Sequence, residues 1–303
     1  MTISTVSFLS YNSTGMTTIK TKWIRDLIKV TGASFIQIQE HFKKNKSDKY
    51  FIDQFPDHSP YIIPGHREQN QDSGRPIGGL AQLSKSNLDM KISRVQSDNF
   101  RVQAQVLNFT NVNILWINAY LPTDPQLINY DETEILNVLN AVEKIIENTS
   151  FDEIIFGADF NWDKTRNSGF VTCMDRWVDK VGLLDVWDTF PVSHTHVHTD
   201  MKSLSTLDRF LVSPGLVQHV VDAGALHLGD NPSRHSPIVL KIQVEAIPVR
   251  KSSSANAAPR KPAWYKADDS QVSTYTARLA EKLDNLEMPA ELDWIVGEGQ
   301  LSP

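Results

Sequence analysis

Cysteine is almost missing from this sequence: Cys173 stands alone among 303 residues. A lone thiol excludes an intramolecular disulfide, so the expectation is an intracellular chain whose scaffold rests on core packing, with that thiol buried and inert. Long apolar runs are missing too. No stretch of about 18 apolar residues occurs, and the opening MTISTVSFLSYNSTGM lacks a basic region ahead of an apolar block, which argues against both membrane spanning and secretion. Nor is there an excess of positive charge. Lys and Arg number 30 against 36 Asp and Glu, a formal net charge of -6, whereas nucleic-acid binders usually carry a net basic surface that displaces counterions from phosphates. Any contact with nucleic acid is therefore expected to be local. No internal repeat is visible.

What is present is a substantial apolar content, 40% of the chain, arranged in strand-like runs that alternate with helical patterns. VSFLSYN and SFIQIQE read as strands, and between them Ile19, Trp23, Leu27 and Val30 recur at helical spacing, so the start is β-α-β. VNILWINAYLP is a further strand, followed by a helix from about Glu132 to Asn148 expected to bury Leu136, Leu139, Val142 and Ile146. EIIFGADFN, a helix over FVTCMDRWVDKVG, STLDRFLVS and a closing SPIVLKIQV complete a mixed α/β sandwich over residues 1–245. Residues 246–263, with RKSSSANAAPRKP, have no apolar periodicity and read as a linker. Beyond it, in residues 264–303, Val272, Tyr275, Leu279, Leu283 and Leu286 form one helical apolar stripe. That stripe needs a partner, either this domain or a following module.

Polar groups stand at the ends of the apolar runs. They are Asn12 after FLSY, Glu40 after FIQIQ, Tyr120 after WINA, Asp159 and Asn161 after IIFGA, Asp208 in STLDRF and His235 in SRHSPI. In a layered α/β fold, strand ends meet at one rim, where loops present distant residues to a shared cleft. The chemistry of such a set is specific. A carboxylate such as Glu40 suits a hard cation like Mg²⁺, which binds one or two carboxylates plus a substrate phosphate. Asp159 could take a proton from an attacking water that Asn161 helps to hold. Asp208 could fix one nitrogen of His235, so that the other points a proton at a phosphoryl oxygen. Taken singly, each residue has a plainer reading: Asn12 as a turn residue, Glu40 as the start of a solvated loop, Tyr120 as a rim residue, Asp159 with Asn161 as a turn, and Asp208 in a surface ion pair with Arg209. His194, His196 and His198 alternate as strand-borne zinc ligands would, but no matching Cys or His set accompanies them.

In their order, YNSTG, QIQEH, GGLAQLSK, NAYLPTD, IFGADFN, STLDRFLVS and SRHSPI resemble the endonuclease/exonuclease/phosphatase superfamily. The branch they most resemble is the apurinic-type endonuclease of non-LTR (LINE) retrotransposons, over residues 3–245. The resemblance implies a four-layered α/β/β/α sandwich of the DNase I-like type. It implies Mg²⁺-dependent cleavage of DNA, with Mn²⁺ as a substitute, leaving a 3′-hydroxyl and a 5′-phosphate. By resemblance, Asn12 and Glu40 belong to the metal and phosphate site, Tyr120 contacts the phosphate, Asp159 and Asn161 handle the nucleophile, and Asp208 pairs with His235. KPAW followed by YTARLAEKLDNLEMP is similar to the segment joining such an endonuclease to a reverse transcriptase. The expectation is thus a piece of a longer polyprotein that meets element RNA indirectly, works in the nucleus and has no membrane partner. One position departs from the pattern. Arg234 precedes the final histidine where the family usually has an aspartate, which should repel Mg²⁺ or else grip a DNA phosphate. Asp230 could substitute for the missing carboxylate, and Thr14 replaces an acidic residue of the repair branch. Two alternatives stay open: a superfamily phosphoesterase acting on RNA, phosphoinositide or sphingomyelin, and a catalytically impaired fragment that binds DNA or a partner. Arg67 and Arg75 in GHREQNQDSGRP could reach a DNA groove or merely solvate a loop.

Overall fold

A computed structural model describes residues 3–44, 47–66, 76–125, 131–245 and 268–284. Its elements follow one another as β1 (Ile3–Asn12), α1 (Thr18–Thr31), β2 (Phe35–Gln39), α2 (Ser47–Gln54), β3 (His58–Ile63), β4 (Leu80–Lys85) and β5 (Lys91–Val95). Next come β6 (Val102–Asn108), β7 (Asn113–Tyr120), α3 (Thr133–Asn148), β8 (Glu153–Asp159), α4 (Gly169–Val181), β9 (Leu184–Asp185), β10 (His196–Val197) and β11 (Leu204–Ser205). The last are β12 (Asp208–Val212), α5 (Pro214–Val217), β13 (Val220–Ala225), β14 (Ile238–Glu245) and α6 (Asp269–Asp284). One six-stranded sheet has the order β13-β14-β1-β2-β4-β3 and a second the order β5-β6-β7-β8-β12-β9, with β10 and β11 forming a small ribbon.

Both faces of the central strands are buried, which is why they read as nearly unbroken apolar runs. In β1, Val6 and Phe8 join the core shared by the two sheets, while Leu9 and Tyr11 turn to the layer of α1 and α2. In β8, Ile155 faces the shared core, and Ile154 and Phe156 face α3 and α4. The result is four layers, helices on sheet on sheet on helices, the α/β/β/α sandwich expected. Buried amides link the sheets: Gln37 Nε2 donates to the carbonyl of Ile117 at 2.5 Å, and Gln39 Nε2 to Asn118 Oδ1 at 2.8 Å.

Helix phase differs from the sequence reading at two places. The buried face of α1 is Thr21, Ile24, Leu27 and Ile28, whereas Ile19 and Val30 are 75% and 87% exposed. The sheet takes the face of Thr21, Ile24, Leu27 and Ile28; of the expected stripe, Leu27 lies in that face and half-buried Trp23 packs at its edge. Likewise α3 buries Ile135, Val138, Leu139, Val142 and Ile145, leaving Leu136 exposed and Ile146 half-buried. Cys173 is buried in α4, and burial raises its thiol pKa.

The chain divides into two compact units, Met1–Lys251 and Ser252–Pro303. In the second, α6 presents Val272, Tyr275 and Leu279 as exposed residues. The expected linker at 246–263, Trp264, Tyr265 and Leu286, and the loop with Arg67 and Arg75, lie outside the described residues. Among the described residues no helix is long and apolar enough to cross a membrane.

Candidate active site

Strand register explains why the polar strand ends meet. Asp159, last residue of β8, is level with Tyr120 on parallel β7 and with Asp208 on antiparallel β12. In the other sheet, Asn12 ends β1 level with Gln39 of parallel β2, and Glu40 follows directly. β14 runs antiparallel to β1, pairing Ile238 with Ser10, so His235 just ahead of it arrives at the same end.

Hydrogen bonds then tie the two sheets across that end. Asn12 Nδ2 donates to Asp159 Oδ2 at 2.8 Å, while Asn12 Oδ1 accepts from the backbone N–H of Thr14 at 2.9 Å. Asp159 Oδ1 accepts from the backbone N–H of Asn161 at 3.1 Å, and Asn161 Nδ2 donates to the carbonyl of Leu121 at 2.9 Å. His235 Nδ1 lies 2.9 Å from Asp208 Oδ2, and its Nε2 lies 3.9 Å from Asp159 Oδ2. The Glu40 carboxylate lies near enough to the Tyr120 phenol to raise its pKa. Glu40 and Asn161 hold left-handed backbone, φ 52° and 50°, a conformation costing about 1 to 3 kcal/mol per residue that surrounding contacts must over-determine.

Burial and charge set the protonation states. Burial raises Asp159 to about 7, with Asp208 and Glu40 adding repulsion while His235 and the Asn12 bond oppose the rise. Burial works against a charged His235, yet Asp208 and Asp159 outweigh it and lift the imidazole to about 9. Burial also raises Tyr120, reinforced by Glu40 and Asp159, so the phenol stays protonated. At neutral pH His235 is thus an imidazolium, and Asp159 lies close to its own midpoint.

A hard divalent cation suits this donor set. Glu40, Asp159 and Asp208 place three carboxylates about one imidazole, and Asp159 is driven toward the neutral form by burial and by the crowding. A cation beside Glu40 and Asn12 would relieve that repulsion using oxygen donors only. Among the described residues, Asp159, Asp208 and His235 are the one group whose ligand atoms lie within 4.8 Å of one another.

Other expected residues fall elsewhere. Arg234 is exposed, at the rim rather than among the carboxylates. Asp230 is exposed too, and the acids acting on His235 are Asp208, Asp159 and Glu40, so it does not stand in for a missing carboxylate. The three alternating histidines do not form a ligand set: His194 stacks on His227 at 4.2 Å, whereas the His196 ring lies 4.7 Å from His198 and 4.5 Å from His235. Asp163, last in the polar row after β8, closes a turn by accepting from Thr165. Supporting residues escaped the sequence reading. Thr195 Oγ1 accepts the backbone N–H groups of Leu207 and Asp208, both at 2.9 Å, and Trp187 Nε1 donates to the carbonyl of Asp208 at 2.9 Å. Asn231 accepts from the Tyr11 hydroxyl at 2.7 Å and donates to the carbonyl of His235 at 2.8 Å. Buried His41 accepts the N–H of Lys43 at 2.9 Å and bonds the carbonyl of Ile63, fixing the turn that carries Glu40.

The same architecture occurs in known structures. The AP endonuclease LMAP from Leishmania major superposes with a TM-score of 0.62 at 15% identity, over 79% of this chain and 88% of that one. The fold is that of the endonuclease/exonuclease/phosphatase proteins. The endonuclease domain of TRAS1, a telomere-specific non-LTR retrotransposon, gives a TM-score of 0.58 at 14% identity, over 78% of this chain and 98% of that one. A variant of the 3′ phosphatase NExo from Neisseria, bound to product DNA hairpin, gives 0.58 at 14%, over 78% and 99%. No protein-family model matches the sequence. No curated protein sequence matches it either.

Proposed function

We propose that this chain is a Mg²⁺-dependent endonuclease that nicks DNA and leaves a 3′-hydroxyl, of the kind that opens a retrotransposon's target site, with Mn²⁺ able to substitute. The observation that carries the reading is the continuous chain Asp208–His235–Asp159–Asn12, which crosses from one sheet to the other at the strand ends. Asp208 holds His235 charged, so the imidazolium offers a proton to a phosphoryl oxygen. Asp159, with an affinity for protons near neutral, is suited to accept one from an attacking water. Asn12 orients Asp159, and Asn161, tied to Asp159 through its backbone N–H, would help to hold the attacking water. Tyr120, kept protonated, can donate to the phosphate. A divalent cation held by Glu40 and Asn12 would, when bound, supply neutralisation of the phosphate charge, leaving Asp159 to accept the proton. The likeness to the TRAS1 domain supports the retrotransposon branch, as does the connector-like segment from Trp264 onward, which would join a longer, nucleus-acting polyprotein.

Supercoiled plasmid incubated with the chain in Mg²⁺ or in EDTA tests this, with the nicked product offered to a DNA polymerase and a 3′-phosphorylated oligonucleotide run alongside. The expected result is Mg²⁺-dependent nicks that prime extension directly. Release of phosphate from the oligonucleotide without nicking would replace the endonuclease with a phosphomonoesterase.

A further inference from the structure

Beside His235 lies a groove of about 620 Å³ lined by Thr14, His196, Met201, Asn231, Pro232, Ser233 and Arg234. Its lining contains no carboxylate. The floor is polar and fixed: Ser233 Oγ donates to the carbonyl of Asn12 at 2.9 Å and lies 3.0 Å from Thr14 Oγ1, which accepts from Lys20 Nζ at 3.2 Å. Lys20 thus holds a positive charge directly behind the Thr14 wall, its ammonium also donating to the carbonyl of Ser13 at 2.6 Å. His196 is neutral, because burial and the nearby charges of His235, His198, Arg234 and Arg166 press its pKa down to about 3. The positive field of the groove therefore comes from Arg234 and Lys20.

Arg234 is the unusual member. Every other described arginine before residue 251 has a hydrogen-bond or ion-pair partner: Arg25, Arg94, Arg101, Arg166, Arg176 and Arg209. Among the described residues the guanidinium of Arg234 has none, although its backbone is anchored by the N–H of Val197 at 3.0 Å. A planar fork of five donors on an anchored backbone, facing a groove without acids, is the arrangement that recognises phosphate. The chain as a whole is acidic, so such a spot is not part of a general basic surface.

We propose that this groove holds a second backbone phosphate of the substrate strand, next to the one served by His235, with Arg234 as its ligand. The proposal rests on the nuclease reading above for the identity of the strand. Arg234 is then a device for affinity and register, and a substrate with a single phosphate gains nothing from it.

Two measurements on the full chain test it. The first is equilibrium binding of a short labelled DNA duplex in EDTA over a salt series, for wild type, Arg234→Ala and Arg234→Lys. The expected result is about tenfold weaker binding for Arg234→Ala and a salt slope smaller by about 1, with Arg234→Lys retaining the slope, as loss of one phosphate contact requires. The second is hydrolysis in Mg²⁺ of plasmid and of bis-p-nitrophenyl phosphate, where Arg234→Ala should lose about tenfold more on plasmid, chiefly through KM. An unchanged salt slope in Arg234→Ala, or equal losses on the two substrates, overturns the groove. Should wild type cleave neither substrate while the slope still falls in Arg234→Ala, the phosphate site stands and the nuclease reading fails.

Discussion

At the residue scale, position rather than residue type made the site legible. Asn12, Glu40, Tyr120, Asp159, Asp208 and His235 each close or open an apolar run, and the structure brings all of them to one end of the two sheets. Their supports were not legible, because each bonds at least one group far along the chain, Thr195 to Leu207 and Asp208, Asn231 to Tyr11 and His41 to Ile63, and such pairs leave no local pattern. Two predictions belong here. Asp208→Asn removes the main charge that keeps His235 protonated, so nicking should fall by about 10² to 10⁴ and its alkaline limb should move to lower pH. Nicking rates over a pH series check this; a loss with an unshifted profile would mean that Asp208 only positions the ring. His41 gives a stability prediction. Burial lowers it from 6.5 to about 4, with the Ile63 hydrogen bond opposing. Above 6.5 both folded and unfolded states hold it neutral; as pH falls from 6.5 toward 4 only the unfolded state gains the proton, and stability drops by on the order of 3 kcal/mol. Thermal melts of wild type and His41→Asn across that window should converge as pH falls, and parallel curves would contradict the assignment.

At the element scale, the strands were readable because β-branched and aromatic runs bounded by polar residues leave little choice. Which face a residue occupies was not. Gln37, Gln39, Gln82, Gln103 and Asn118 look like solvent positions in an alternating strand, yet all are buried between the sheets and bond across them. Period-two reasoning fails where both faces are covered, and the phases of α1 and α3 shifted for the same reason: the packed partner, not the helix, selects the face. Gly157 tests the closeness of that packing. A Cβ there would collide with Gln37 Oε1 and fall 2.6 Å from Phe210 Cε1. Gly157→Ala should therefore cost about 3 kcal/mol, seen as a lower urea midpoint at constant slope. A wild-type midpoint would mean that the sheets can part locally without penalty.

At the scale of the whole molecule, the three cores found among the described residues draw on positions from Val6 to Val244, all in the first unit. A chain ending at Lys251 should accordingly unfold in one cooperative step at the melting temperature of the full chain's main transition. A lower value would show that residues after 251 brace the sandwich. The same cores place six side chains from two sheets within one cluster, and the central claim is that this cluster cleaves phosphodiesters with a divalent cation. Plasmid nicking by equally folded wild type, Glu40→Ala and His235→Ala in Mg²⁺ tests it most directly. The account predicts wild-type nicking that EDTA abolishes, and a loss of about 10² or more in each variant. Cation-independent nicking, or variants as active as wild type, would contradict it.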